Sequence, residues 1–380
     1  MIGQTDSLVR WLKTESLPFW ASAGLNDRTG LAYEQMDAAG SPDPDALLRV
    51  RVQLRQIYAF SHASVLGWLP NGDELAFRLW HRLREVAAPD GLGQGLVHVL
   101  SPDGQVSNAT RDSYDHAFAV LAVSWLRRAT GETKLDTDID DLMGFVDGRL
   151  TDDVGALTEG WPQSLPRRQN PQMHWFEAML ALFEAARRAE GLERAARMKA
   201  FMLHRLLDSE TDTIGEFFGD DWRAVDGPMG DTVEPGHLAE WCWLLRRHET
   251  LSQQAREPLP SRLLASASRT EDSRTGLLVN ECDRQFRVRR GSRRSWLATE
   301  YAKAWISEVE AGVPGSAAKA HRALRTMDEH HLRRPIVGGW IDEVNAEGKP
   351  VLGKIPTSIL YHVFVAVAEA DRVFRQSTYS

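Results

Sequence analysis

The chain is almost without cysteine: Cys242 and Cys282 stand far apart among 380 residues, outside any CxxC spacing. That excludes a disulfide framework and a thiolate zinc site, and leaves both as small core residues. No run approaches the roughly eighteen apolar residues that a membrane span requires. The opening segment MIGQTDSLVRWLKTESL has neither a signal-like apolar core nor a small-residue cleavage site, so a cytoplasmic protein is expected. Concentrated basic charge is missing as well. The formal net charge is −8, and Lys and Arg occur singly or in pairs such as Arg289-Arg290 and Arg293-Arg294. A phosphate-binding face needs a dense basic field, so nucleic acid is not an expected partner.

What is present is the composition of a globular chain: 43% hydrophobic and 26% charged residues suffice for a large core. Apolar residues recur at three- and four-residue spacing between breaks rich in Gly, Pro, Asp and Asn, which predicts helix almost throughout. About twelve segments are expected, at 6–22, 44–68, 73–88, 110–130, 134–149, 172–190, 192–209, 235–250, 258–271, 293–312, 315–332 and 356–376.

These segments are of two kinds. Odd ones are amphipathic; the third sets Leu75, Leu79, Trp80, Leu83 and Val86 on one side and Arg78, Arg82 and Glu85 elsewhere. Even ones, such as DSYDHAFAVLAVSWL and PGHLAEWCWLL, are apolar nearly all round after their first turn, as in a helix covered by neighbours. The alternation predicts two concentric rings of about six helical hairpins, an α/α barrel with the even helices inside. A stack of helical repeats would alternate too, but no sequence unit of fixed length recurs. The linkers 89–109, 150–171, 210–234, 272–292 and 333–355 are long and rich in Gly, Asp and Pro, suited to line a site. LLVNECDRQFRVR among them reads as a β-hairpin. No stretch reads as a flexible linker, so residues 1–380 are expected to form one domain.

Unusual residues collect near the starts of the even segments: Tyr114 and His116, His174, His237 and Glu240, Trp296 and Glu300, and His362, with Arg55 lying mid-helix. A lone histidine at a helix start is ordinarily a capped or packed structural residue. Four of them on helices running parallel in one ring would meet at one mouth, where imidazole suits general acid and base work. The remaining histidines read as surface or packing residues. His237 and Glu240 are three apart and share a helix face, where the carboxylate would either fix the imidazole tautomer or form a simple polar pair. His174 and Glu177 repeat the spacing, although Glu177 could face an outer helix. Neither pair forms HExxH, and carboxylates do not cluster with His at metal-ligand spacing along the chain, so no metal is expected. Arg55 interrupts a stretch without other charge; it reads as an internal salt bridge or as a fixed cation for developing negative charge. Trp161, Trp175, Trp222, Trp241, Trp296 and Trp340 lie beside these polar positions. Indole faces are ordinary core filler, yet they also suit a sugar ring.

Taken together, QLRQIYAFS, YDHAFAVLA, NPQMHWFEA, EPGHLAEWCWLL, SWLATEYAKA and GGWIDE through IPTSILYH resemble the N-acylglucosamine 2-epimerase superfamily, in its order and over nearly the whole chain. The resemblance implies an (α/α)6 barrel with a central site and neither metal nor redox cofactor. It implies His237 and His362 as paired catalytic histidines, with Glu240 supporting the first and Arg55 in the catalytic set. It also implies Tyr114, His116, Asn170, His174, Trp296 and Glu300 as substrate-binding residues, with Lys303 and Lys354 less clearly assigned. SWLATE departs from the WPQTE or WPQAE form common in the superfamily, with Leu297 for Pro and Ala298 for Gln.

The ending resembles mannose and sulfoquinovose isomerases more than acylglucosamine or cellobiose epimerases. The expected activity is interconversion of D-mannose and D-fructose, extending to D-lyxose and D-xylulose, through a cis-enediol(ate). The alternatives are a sugar 2-epimerase acting on mannose/glucose or N-acylglucosamine, a sulfoquinovose isomerase, a glycoside hydrolase, which would need two carboxylates flanking a scissile bond, or a non-catalytic binding protein. The expected partner is a small monosaccharide, and the expected assembly a monomer or homodimer.

Overall fold

The computed structural model describes residues 2–351 and 353–376. Its α-helices are α1 Ile2–Trp11, α2 Leu17–Ser22, α3 Val50–Val65, α4 Gly72–Ala87, α5 Ser113–Thr130, α6 Leu135–Phe145, α7 Gln169–Glu184, α8 Glu190–Phe201, α9 Pro235–Leu251, α10 Leu259–Ser268, α11 Ser295–Glu310, α12 Ser316–His330 and α13 Ile359–Gln376. Every segment expected to be helical overlaps at least one of them. The segment 44–68 starts late, at Val50, because Leu48–Arg49 pairs antiparallel with Val99–Leu100. Among the described residues no helix is long and apolar enough to cross a membrane.

The chain divides into two compact units. One comprises Leu17–Phe201 with Pro356–Tyr361. Here α3–α4, α5–α6 and α7–α8 pack as hairpins, and α5 packs against both α3 and α7. The alternation read from the sequence is present within this unit. In α5 every residue from Ser113 to Leu126 is buried, whereas α4 buries Ala76, Leu79, Trp80 and Leu83 and exposes Arg78, Arg84 and Glu85. The start of α5 is set by the Asp112 side chain, which accepts the Asp115 N–H at 3.0 Å; its end is set by Gly131, at φ 75°, whose N–H returns to Arg127 O.

The other unit comprises Met1–Ser16, Met202–Ile355 and His362–Ser380. Its hairpins are α9–α10 and α11–α12, and α9 packs along α11. Both α9 and α11 are buried nearly throughout, and Pro235 opens α9 at a position where its missing N–H costs nothing. At their far ends Arg246 of α9 donates to Glu308 of α11 at 2.7 Å, to Glu249 at 2.9 Å and to Ser261 of α10 at 2.9 Å. A buried guanidinium is tolerated here because its donors are paired. Cys242 and Cys282 are buried and free, as expected. The expected hairpin is present, with Glu281–Cys282 antiparallel to Val288–Arg290.

One junction recurs in both units. The residue just before a buried helix gives its backbone N–H to a side chain from the preceding loop: Arg49 to Glu34 at 3.0 Å, Arg168 to Glu159 at 2.9 Å, Glu234 to Glu216 at 3.3 Å and Arg294 to Asn280 at 3.1 Å. At the first two the arginine side chain also pairs with the same carboxylate.

Candidate active site

In the unit built on α9 and α11, five of the singled-out side chains come together: His237, Glu240, Trp296, Glu300 and His362. His237 lies in the first turn of α9 and Trp296 in the first turn of α11; the Trp296 ring is centred 4.9 Å from the His237 ring and 6.0 Å from that of His362, in α13. The approach depends on Gly236, where a Cβ would stand 2.6 Å from Cζ3 of Trp296 and 2.9 Å from Cγ of Leu297. Both imidazoles are buried, at 6% and 5% exposure, too dry for an unsupported charge.

Each therefore has a carboxylate on Nδ1. His237 Nδ1 is 3.0 Å from both carboxylate oxygens of Glu216 and 3.8 Å from Glu234. His362 Nδ1 is 2.7 Å from Oε1 of Glu300, whose Oε2 is 2.6 Å from Nζ of Lys303. Lys303 is fully buried, with its ammonium 3.8 Å from the centre of the Trp243 ring. With Nδ1–H donated to a carboxylate, proton exchange with a bound molecule falls to Nε2. Burial alone would lower the His237 pKa, but the charges of Glu216 and Glu234 outweigh it and raise it to about 10, with Glu240 adding to the effect through space. His237 is thus an imidazolium at neutral pH. Burial raises the Glu234 carboxyl to about 7, against the opposing charge of His237 and with the help of Glu216 and Glu281.

The carboxylate on the His237 ring differs from the expected one. The family resemblance pointed to Glu240, a role that spacing alone left open; the hydrogen bond to Nδ1 comes from Glu216 in the 210–234 linker. Glu240 instead lies with Glu300 and His362, their ligand atoms within 4.8 Å of one another, and Glu216, Glu234 and His237 form a second group of that kind. The expectation that carboxylates and histidines do not cluster is corrected accordingly, because the members come from separate elements. In both groups the donor atoms already bond one another, so a cation would have to displace an imidazole–carboxylate hydrogen bond.

In the other unit Arg55 Nη2 donates to the Tyr114 hydroxyl at 2.7 Å, Tyr114 lies 3.1 Å from Nε2 of His174, and His174 Nδ1 lies 2.9 Å from Glu177. Tyr361 donates to the other oxygen of Glu177. With a neutral His174 the donors are consistent when Tyr114 gives its proton to Nε2 and His174 gives its own to Glu177. Arg55 lies over the rings of Phe118, at 4.5 Å, and Tyr361, at 5.2 Å. Among the described residues no carboxylate pairs with it, so the internal salt bridge weighed for Arg55 is not formed. Asn170, half-buried, stands one turn before His174 in α7.

His116 does not belong with these residues. It is fully buried; its Nε2 accepts the Leu96 N–H at 3.0 Å, its Nδ1 donates to Asp112 O at 2.8 Å, and its ring stacks on Phe145. With both nitrogens held by backbone and the pKa lowered by burial to about 4, it is a neutral structural residue, and the expected substrate contact is withdrawn. Of the tryptophans, Trp296 lies against both histidines; Trp241 and Trp340 are fully buried and Trp161 is exposed. Sequence reasoning missed Glu216 and Glu234, which lie in or just after an irregular linker without periodicity. It also missed Tyr361, although the adjacent His362 marked the place. His98, taken as a packing residue, holds the fully buried Asp115 at 2.7 Å through Nδ1.

Residues 32–366 match the N-acylglucosamine 2-epimerase (GlcNAc 2-epimerase) family. The chain is 31% identical to a mannose-6-phosphate isomerase of Rhizobium meliloti (strain 1021), over 97% of each chain. It is 28% identical to a D-mannose isomerase of Thermobifida fusca, over 68% of this chain and 65% of that one. Among solved structures, cellobiose 2-epimerase from Bacillus thermoamylovorans B4167 superposes with a TM-score of 0.87 over 98% of this chain and 100% of the other, at 18% identity. That likeness fixes the fold class as the (α/α)6 barrel expected from the sequence.

Proposed function

Because the chain belongs to the N-acylglucosamine 2-epimerase family and is a carbohydrate isomerase or epimerase, we propose that it is an aldose–ketose isomerase interconverting D-mannose and D-fructose. The observation that carries this reading is the pair of buried histidines against one indole, each with a carboxylate on Nδ1. Two such imidazoles supply a proton donor and a proton acceptor at neutral pH, and the indole offers a face to the C–H side of a sugar ring.

His237, as imidazolium, gives a proton to the ring oxygen as the hemiacetal opens and regains one from the C1 hydroxyl, which becomes the aldehyde. His362 takes the C2 proton, leaving a cis-enediol(ate), and returns a proton to C1 while the C2 hydroxyl proton passes to the C1 oxygen and C2 becomes the ketone. Arg55, Tyr114, Asn170 and His174 keep the sugar-binding roles that the family resemblance gives them. The names of two relatives, a mannose-6-phosphate isomerase and a D-mannose isomerase, support mannose as the aldose. The first of them also brings the 6-phosphate forward as a second candidate substrate. The whole chain is read as one barrel domain acting without metal or redox cofactor.

Incubation of D-mannose in heavy water tests this. The expected product is fructose deuterated at C1. Glucose deuterated at C2 would make the protein a 2-epimerase. The absence of any ketose from mannose, mannose 6-phosphate, lyxose or a sulfonated hexose, with folded protein, would end the isomerase reading.

A further inference from the structure

The junction shared by α3, α7, α9 and α11 has one exceptional copy. At Arg49 and Arg168 the junction residue is an arginine: its N–H is accepted by the loop carboxylate of Glu34 or Glu159, and its guanidinium neutralises that carboxylate. Before α11 the acid is replaced by the neutral Asn280, and Arg294 turns to Asp342 at 3.3 Å. Before α9 the acid is kept as Glu216 but the cation is lost, since the junction residue is Glu234. The Glu216 carboxylate still takes the junction N–H through Oε1, and both its oxygens are 3.0 Å from Nδ1 of His237.

We infer that Glu216 is a positioning residue for His237, available to the imidazole because Glu234 stands where the other acid-bearing junctions carry arginine. The inference rests on the acid–base role proposed for His237 and extends it to a residue that never touches substrate. A carboxylate neutralised by its own junction arginine has little charge left to hold a neighbouring imidazolium. One whose junction residue is Glu234 has no junction cation, and its two oxygens are 3.0 Å from Nδ1 of His237, where an imidazolium serves as counter-ion. Among the described residues, the charged groups that act on His237 include Glu216 and Glu234 from the linker and junction, and Glu240 from α9; Arg294 and Glu281 act on Glu234, and Trp296 of α11 presents an uncharged face. Glu216 fixes the ring by the hydrogen bond on Nδ1 and keeps the donor form populated to high pH.

The test compares the full-length enzyme with its E216Q, E216D and E234R variants by the pH dependence of kcat and KM on mannose, with thermal unfolding recorded for each. E216Q keeps an acceptor for the junction N–H but removes the charge, so the alkaline limb of kcat is expected to move down by at least one pH unit. For a limb moved from about 10 to about 9 the loss of kcat should be about twofold at pH 9, approach tenfold above pH 10 and be negligible at pH 7, with KM changed less than threefold. E216D should restore most of the profile. E234R, which puts the arginine back at the junction, should move the limb in the same direction as E216Q while leaving Glu216 in place, and it provides the readout if E216Q fails to fold. A uniform drop in kcat at every pH, or unmoved profiles in folded E216Q and E234R, overturns the inference. H237N separates this outcome from failure of the functional proposal: an active H237N removes the proposed role of His237 itself, whereas an inactive H237N with unmoved E216Q profiles removes only Glu216.

Discussion

Lys303 places its ammonium 2.6 Å from Oε2 of Glu300, one helical turn earlier in α11, and so neutralises the carboxylate that holds His362. Both side chains are fully buried, so neither charge can be hydrated if the other is lost. K303M is expected to lower stability by about 3–5 kcal/mol, the usual consequence of removing one partner from a buried pair. Denaturant unfolding measures the loss. In protein that remains folded, the bare carboxylate should hold the His362 proton more tightly and move the acid limb of kcat to higher pH, which a pH–rate profile reads.

Gly236 is the point at which α9 lets the Trp296 indole reach the two histidines. G236A puts a methyl 2.6 Å from the indole, and the helix backbone cannot move away without taking His237 with it. Alanine is otherwise the better helix residue. Overpacking is therefore expected to cost about 1–3 kcal/mol, partly offset by helix propensity, while kcat/KM per folded molecule falls at least tenfold, because displacement of reacting groups by an ångström is costly. Steady-state kinetics beside a thermal melt would separate the two effects.

His116 is neutral in the folded protein, with a pKa lowered to about 4 by burial, against about 6.5 when exposed. The unfolded chain then binds the proton first as pH falls. The stability linked to this group is complete above about pH 6.5 and disappears as pH drops toward 4, amounting to about 3 kcal/mol. H116Q should flatten this part of the stability curve and cost about 1–3 kcal/mol at neutral pH through the backbone partners it leaves. Activity per folded molecule should be unchanged. A rise in KM with stability intact would return His116 to the substrate-binding residues.

Arg55 bonds Tyr114 and lies over aromatic rings, with no paired acid among the described residues. R55M therefore leaves no orphaned carboxylate, and chemical denaturation should show stability within about 1 kcal/mol of the parent. If the guanidinium meets a developing oxyanion, kcat should fall by about 10²–10³, as for removal of one such donor. R55K should recover only part of it, because an ammonium does not reproduce the planar fork.

The helices were legible because burial leaves a periodic trace: α4 shows one apolar stripe and α5 is apolar all round, and each packs accordingly. His237, Trp296, Glu300 and His362 were legible for a related reason, standing as polar or aromatic exceptions at the starts of buried helices. His116 occupies the same kind of position and misled for that reason, since only coordinates show that two backbone groups have taken its nitrogens. Glu216 left no trace. Its partner is 21 residues away, across a linker where neither helical nor strand periodicity constrains which acid faces inward. Glu240 sits at a spacing that invited the assignment, but shared helix face is a weaker constraint than hydrogen-bond distance.

The junction before α9 also carries a cost in cohesion. Beside the acid–arginine clasp at Arg49 and Arg168, a purely structural arrangement, the junction at Glu234 differs in the identity of a single junction residue. Exchanging a clasping cation for an acid gives up a local ion pair and leaves Glu216 without a junction cation, a loss of cohesion offset only when a neighbouring imidazole takes up the charge. Reactivity at His237 then comes at the expense of robustness in one loop, with the other copies of the clasp left to preserve the architecture.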